Sequence, residues 1–367
     1  MAGANQASAG VSGAGDLRDQ LARRIRATGP LSLADYMEAA LWDKQHGYYA
    51  TRAPIGAKGD FITAPEVSQV FGELIGLWCA DLWQKMGAPD PVLVCELGPG
   101  NGTLMADFLR SARILPEFRR AIRLHLVERS PALRAIQEKK LAGEGAAWHE
   151  PLDQLLPGPL LLVANEFLDA LPIRQFERRK DGWHERRIGL DVGGNLAFVL
   201  DPASAGYSFP DWPEGSVAEI CPEAREIARA LGGRLKDEGG AALFIDYGYS
   251  ASAPGDSFQA VSNHRRFDPL KDPGGADLTA HVDFAALAAA ATQAGARAWG
   301  PVTQGDFLRS LGLAERVRKL TLGKPAGEAS AIEAACRRLI EPAQMGSLFK
   351  ALALTHPALP APAGFGP

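Results

Sequence analysis

The stretch that most constrains this chain is residues 92–104, VLVCELGPGNGTL. Pro89 and Pro91 mark its start, and an unbroken apolar run then leads into Glu96. A run without polar alternation fits a parallel strand buried on both faces. Gly98, Gly100 and Gly102 allow a tight turn and close approach of a ligand to the backbone. From Thr103 onward, Leu104, Met105, Phe108 and Leu109 have helical spacing. Strand, glycine turn and helix in this order place a small ligand at the carboxyl end of the strand. A plain strand–turn–helix connection has the same outline, so the turn alone does not name the ligand.

The spacing narrows the choice. A dinucleotide fold uses G-x-G-x-x-G, with the pyrophosphate on the helix N-terminus. The spacing in this chain is G-x-G-x-G, with Glu96 two positions before the first glycine. A carboxylate suits a pyrophosphate poorly. It suits a ligand with positive charge, such as the ammonium and sulfonium of S-adenosylmethionine. A second apolar run, 122–127, ends in Glu128, 32 positions after Glu96. That is a strand–helix–strand length, and an acid at the second strand end can accept both hydroxyls of a ribose.

The chain has 367 residues, a net charge of −4 and 46% hydrophobic residues, which fits one large domain with insertions or two domains. That charge gives no basic footprint for nucleic acid. Cys79, Cys95, Cys221 and Cys336 are scattered with no C-x-x-C pair. This fits reduced thiols in a cytoplasm rather than a disulfide framework or a metal site. No run of apolar residues is long enough for a membrane span. Residues 1–15 are rich in Ala, Gly and Ser and lack the features of a signal or transit peptide; they are expected to be disordered.

In chain order, helices are expected from Asp16 and after Ser32, a capping residue with Asp35 at the third helical position. Residues 46–49, HGYY, read as an aromatic turn and 56–66 as an ordered glycine-rich loop. Thr63 or Pro65 opens an amphipathic helix reaching about Met86, whose Trp78 and Trp83 read as core. Pro131 starts a helix, Trp148 marks a short strand, and 160–164 is a buried strand running into Asn165, Glu166 and Asp169. A β-rich insertion follows, over 173–179, 182–190 and 196–200. Then come a helix within 219–238, a strand at 241–245 ending in Asp246, a polar stretch and a helix at 284–294. Segments 304–311, 314–322, 330–339 and 345–354 read as helices, and a Pro-rich tail starts at Pro357.

Strands alternating with helices argue for an open parallel sheet. Glu96, Glu128, Asn165, Glu166 and Asp246 all fall at expected strand ends, which implies a shared cleft. Glu166 and Asp169 are three positions apart, close enough to grip a cationic guanidinium; acids favoured at a helix N-terminus give the same pattern. His281 reads equally as a general base or a structural residue, and His264 with Arg265 and Arg266 as a solvated loop.

Together these stretches resemble the MidA-type family of class I S-adenosylmethionine-dependent methyltransferases, relatives of the mitochondrial complex I assembly factor that methylates arginine. The matches are GDFITAPEVSQVFGELIGLW at 59–78, ELGPGNGTLMADFLR at 96–110, LVERSPALRAIQ at 126–137 and ANEFLDALPIRQF at 164–176. FIDYGY at 244–249, DLTAHVDFAAL at 277–287, GPVTQGDFLRSLG at 300–312 and MGSLFKALAL at 345–354 continue in family order. Asn101 stands where many members are expected to carry arginine.

The resemblance implies an α/β fold: a Rossmann-like class I methyltransferase sheet with an N-terminal helical segment, a β-rich insertion and C-terminal helices. The expected division is a helical lid at 16–90, a core at 91–300 with the insertion at 172–218, a helical substrate side at 301–356 and the tail at 357–367. It assigns Glu96, Gly98, Gly100 and Gly102 to the methionine part of S-adenosyl-L-methionine, Glu128 to the ribose and Asn165 to the neighbourhood of the methyl group. Asp60 and Thr63 belong to a segment closing over the cleft. Glu166, with Asp169 or Asp246, would orient a guanidinium. The implied activity is methylation of a protein arginine, with a complex I subunit as the substrate by analogy. The expected setting is cytoplasmic, with no metal, no nucleic acid partner and a homodimer left open. A different nucleophile, a nicotinamide oxidoreductase and a non-catalytic assembly factor are the competing readings. An Asn-Pro-Pro-Tyr-like motif, typical of amine or glutamine methyltransferases, is absent after Asn165.

Overall fold

The apolar run after Pro91 forms strand β1, Val92–Leu97, with all its residues buried. In this computed structural model, which describes residues 16–52, 56, 62–204, 207–262 and 265–366, β1 lies inside the main sheet. The other main strands are β2 (Ile122–Val127), β3 (Ala147–His149), β4 (Leu160–Asn165), β5 (Gly240–Tyr249), β6 (Arg297–Thr303) and β7 (Phe349–Thr355). Their order is β6-β7-β5-β4-β1-β2-β3. The pairs from β5 to β3 are parallel, while β7 runs antiparallel to both β5 and β6.

Alternate residues of β1 explain its unbroken apolar character. Val92 and Val94 pack with the helices Gln69–Lys85 and Thr103–Ala112 on one face, Leu93 and Cys95 with Pro222–Glu238 and Phe284–Gln293 on the other. A strand covered on both sides has no polar face to show. Chain order reverses at β1, which has β2 on one side and β4 on the other. Open α/β sheets bind ligands outside the carboxyl ends of strands at such a point.

The insertion is an antiparallel sheet of Arg174–Arg179, Gly182–Leu190 and Leu196–Ser204, completed by Val217–Ile220 and, from the N-terminal region, Leu31–Ser32. Leu31, Ile173, Ile188 and Leu196 share a core with the helices Leu17–Thr28 and Leu33–Trp42. Asp16 and Ser32 cap these two helices, Ser32 accepting from the Asp35 amide. Trp78 and Trp83 are core residues, 2% and 5% exposed.

Several segments differ from the sequence expectation. The helix expected from Thr63 or Pro65 to Met86 is two helices, Ala64–Val67 and Gln69–Lys85, separated by an extended Ser68 that caps the second. The helix expected over 345–354 is replaced by β7, whose Ala351, Leu352, Ala353 and Leu354 are fully buried between two strands. The polar stretch after β5 contains a small sheet of Gln259–Ser262, Arg265–Phe267 and Asp277–Thr279. The tail after Pro357 packs on the fold: the Trp78 indole donates to the Ala363 carbonyl at 3.0 Å, and the Phe365 ring lies 5.2 Å from that of Phe307. Residues 1–15 lie outside the described residues. Among the described residues no helix is long and apolar enough to cross a membrane, and no cluster of His, Cys, Asp and Glu could hold a metal ion.

Candidate active site

The turn after β1 adopts left-handed backbone at Gly98 (φ 60°), Gly100 (φ 53°) and Gly102 (φ 73°), conformations that side chains disfavour. A Cβ on Gly98 would also lie 2.8 Å from Phe167 Cδ2. Beside the turn is a cavity of about 270 Å³. Its described lining includes seven glutamates (Glu38, Glu66, Glu96, Glu128, Glu150, Glu166 and Glu223) against a single arginine, Arg129.

Glu96 sits inside β1, one residue before its end, and is 3% exposed. Its Oε2 has no hydrogen-bond partner among the described residues. Burial, with the nearby Glu128, pushes its carboxyl up to about 8. Glu128 follows β2; Oε1 accepts from the Ser130 amide at 2.7 Å and Oε2 from Gln137 Nε2 at 2.9 Å. Burial raises its pKa as well.

Asn165 closes β4. Its Nδ2 donates to Glu166 Oε1 at 3.1 Å, and its buried Oδ1 has no partner among the described residues. Glu166 takes a positive φ of 50°, a conformation costly for any residue with a Cβ. Its amide donates to the Ile245 carbonyl, which pins the turn to β5, and the Ala64 amide donates to Oε1 at 2.8 Å. Removal from water lifts its carboxyl to about 7. Thr63 and Glu66 reach the same cavity from the N-terminal region; Glu66 Oε1 accepts from Thr103 Oγ1 at 2.5 Å and Asn101 Nδ2 at 3.3 Å. Asn101 thus bonds an acid of the opposite wall. Asp60 and His264 lie outside the described residues.

The remaining expected acids stand behind the wall. Asp246 Oδ2 accepts from the amides of Leu168 (2.9 Å) and Asp169 (3.2 Å), and the Asp169 carboxylate accepts from the Tyr247 hydroxyl. Neither lines the cavity. Both carboxyls are raised, chiefly by burial. They bind the turn that carries Glu166. His281 is also off the wall, packed against Tyr247 and Tyr249, and burial lowers its pKa.

Two groups escaped the sequence reading. Gln137 bonds both Glu128 and the Gly100 carbonyl; its one sequence signal is a polar residue on the stripe Leu133–Gln137–Leu141 of an otherwise apolar helix face. Arg129 lies 4.6 Å above the Trp42 ring and forms two bonds with Glu38, at 2.7 and 3.3 Å, so the N-terminal helices close one side of the cavity. Nothing in the spacing of Trp42 or Glu38 marks this.

The donor set fits a cationic, ribose-bearing cofactor: unpartnered acceptors on Glu96 and Asn165 beside backbone-lined glycines, and an acid after β2. It does not fit a pyrophosphate, which would face Glu96. Residues 74–302 match the model of a family described as "Putative S-adenosyl-L-methionine-dependent methyltransferase". The zebrafish "Protein arginine methyltransferase NDUFAF7, mitochondrial" is 35% identical, over 92% of this chain and 86% of the relative. The human protein of that name is 36% identical, over 90% and 81%.

The chain belongs to this methyltransferase family. Its cofactor is S-adenosyl-L-methionine, and its sheet is that of a class I methyltransferase. A crystal structure from Burkholderia thailandensis, bound to S-adenosyl-homocysteine, superposes with a TM-score of 0.82 at 27% identity, covering 95% of this chain and 93% of the other. Family membership sets aside the oxidoreductase reading. The cytoplasmic expectation is corrected: the zebrafish, fruit fly and human relatives are named mitochondrial proteins. That expectation rested on thiols free of disulfides, which indicate a reducing compartment and not which one.

Proposed function

We propose that this methyltransferase acts on the guanidinium of an arginine side chain in a protein. The observation that carries this reading is the Glu166 carboxylate, held by its neighbours in a strained turn at the cavity. The names of the relatives, protein arginine methyltransferase, support it. By family analogy a respiratory complex I subunit is the substrate proposed.

The cofactor supplies a methyl group on a sulfonium sulfur, which leaves as a neutral thioether. Glu96 and the Asn165 carbonyl hold its ammonium, the Gly98–Gly102 turn its methionine backbone and Glu128 its ribose hydroxyls. Thr63 covers the cleft from the N-terminal side. Glu166 Oε1 is engaged by Ala64 and Asn165, which leaves Oε2 to accept from the guanidinium and aim one nitrogen along the line of displacement. Methylating a protonated guanidinium yields a methylguanidinium and releases one proton. A carboxylate titrating at about 7 can take that proton and pass it to water. Asp169 and Asp246 act as positioning residues through the 165–171 turn. The N-terminal helices serve as the lid and the C-terminal helices as the substrate side.

The test is transfer of a labelled methyl group into a mitochondrial extract, followed by hydrolysis and mass spectrometry of the product. Label on arginine is expected. Label confined to lysine, glutamine or an amino terminus would reject arginine as the acceptor.

A further inference from the structure

Gln137 lies behind the cavity wall and is fully buried, yet it touches both halves of the cofactor site. Its Nε2 donates to the Gly100 carbonyl at 2.8 Å and to Glu128 Oε2 at 2.9 Å. Its Oε1 accepts from Trp148 Nε1 at 3.0 Å. A primary amide offers two N–H bonds in one plane at a fixed angle. Both are used, so the acceptors on Gly100 and Glu128 are held at a fixed separation. The carbonyl end is locked in turn by an indole on β3.

We propose that Gln137 is a positioning residue that sets the glycine turn and the ribose-side carboxylate in register with each other. The chemistry follows from peptide geometry. In a planar trans peptide the carbonyl and the next N–H point in opposite directions. Holding the Gly100 oxygen toward Gln137, away from the cavity, turns the Asn101 N–H the other way. The bond to Glu128 Oε2 uses one acceptor site of that oxygen and fixes the carboxylate plane, so its remaining lone pairs have one orientation toward a ribose diol. Without the amide, the turn keeps its three glycines and therefore its freedom. A Cβ on Gly102 would lie 3.5 Å from Gln137 Cγ, so the same side chain occupies the space beside the turn where the helix begins. This inference rests on the assignment of Glu128 to the ribose.

The experiment measures S-adenosyl-homocysteine affinity by calorimetry on the full chain for the parent, Gln137→Met, Glu128→Gln and the double variant, with thermal melts of each. Methionine keeps the length and apolar bulk of glutamine and removes the hydrogen bonds. Q137M is expected to weaken binding about ten-fold, the scale of one lost bond to a charged group. The double variant should be weakened by clearly less than the product of the two single effects. At saturating donor, kcat should stay within about two-fold of the parent while KM for the donor rises, since the amide acts on binding and not on the reacting atoms. Unchanged affinity in Q137M, or a lower melting temperature with unchanged affinity, would overturn the proposal and leave a structural role only. Strictly multiplicative losses would overturn the coupling. The E128Q variant separates the two claims. If it binds as the parent does, the ribose assignment fails and the coupling to it fails as well, and a loss in Q137M then reports the Gly100 bond alone.

Discussion

The amide of Ala64 donates to Glu166 Oε1 across 2.8 Å, joining positions 102 apart in the chain. The carboxylate proposed to face the methyl acceptor is therefore aimed by the N-terminal region as well as by β4. Ala64 is the first residue of its short helix, preceded by an extended Thr63, so a proline is compatible with the backbone there; it removes the donor, and its ring, at a fully buried position, also pushes Glu166 Oε1 away. Ala64→Pro should lower methyl transfer at least about ten-fold, the value of the lost charge-assisted hydrogen bond alone, with S-adenosyl-homocysteine affinity changed less than transfer. Equal transfer rates would show that the bond does not aim Glu166.

The buried Glu96 links cofactor binding to protons. Its carboxyl rises from 4.5 to about 8 because burial disfavours the charge, with Glu128 adding to the effect. The folded protein keeps a proton that the unfolded chain has released, so the contribution of Glu96 to stability is fully present below pH 4.5 and is lost as pH rises toward 8. A bound ammonium favours the ionised form. Binding at neutral pH should therefore release a proton, and affinity should increase with pH up to about 8. Calorimetry in buffers of different ionisation enthalpy measures the release. Glu96→Gln should abolish it, weaken binding and flatten the fall of melting temperature between about pH 5.5 and 7, both ends about one unit inside the titration.

Gly98 has no room for a side chain: a Cβ there would lie 2.8 Å from Phe167 Cδ2, and its φ is 60°. Gly98→Ala should cost about 1–2 kcal/mol for the left-handed backbone. It should also displace Phe167, a cavity residue, and weaken cofactor binding beyond what the stability loss implies. Urea unfolding and calorimetry on one preparation separate the two effects.

Sequence legibility followed local completeness. The turn after β1 was readable because the apolar run, the glycines and the helix start all lie within 92–104. Glu128 and Asn165 were readable because each ends such a run. β7 was not: Ala351 to Leu354 alternate two strong helix formers, and only the strands on both sides make them a strand. The break at Ser68 was masked because Val67, Val70 and Phe71 keep helical spacing across it. Asp246, expected at a strand end, lies within β5 three residues before its end, and Asp169 lies four residues beyond β4. That their carboxylates turn toward backbone amides and a tyrosine depends on packing between β4 and β5.

Glu73 ties the C-terminal helices to the methyltransferase core. It is 3% exposed; Oε1 accepts from Arg110 Nη2 at 3.0 Å and Oε2 from Arg316 Nε at 2.7 Å. Both arginines are partly exposed and Arg110 keeps Asp107, so water and that acid recover part of the loss. Glu73→Ala should destabilise by about 2 kcal/mol, short of the 3–5 kcal/mol for a wholly buried pair. A shift of the urea midpoint with an unchanged slope checks this.

The most direct test of the proposed activity compares the parent with Glu166→Gln in two assays on the same preparations: S-adenosyl-homocysteine affinity and transfer of labelled methyl to protein arginine. Glutamine keeps an acceptor for the Ala64 amide and loses the charge and the proton site. Binding within about two-fold of the parent, with transfer reduced at least 100-fold, is the expected result, on the scale of removing one electrostatic group from a reacting centre. Undiminished transfer to arginine by the variant would contradict the role given to Glu166, and absence of arginine label with the parent would contradict the proposed function itself.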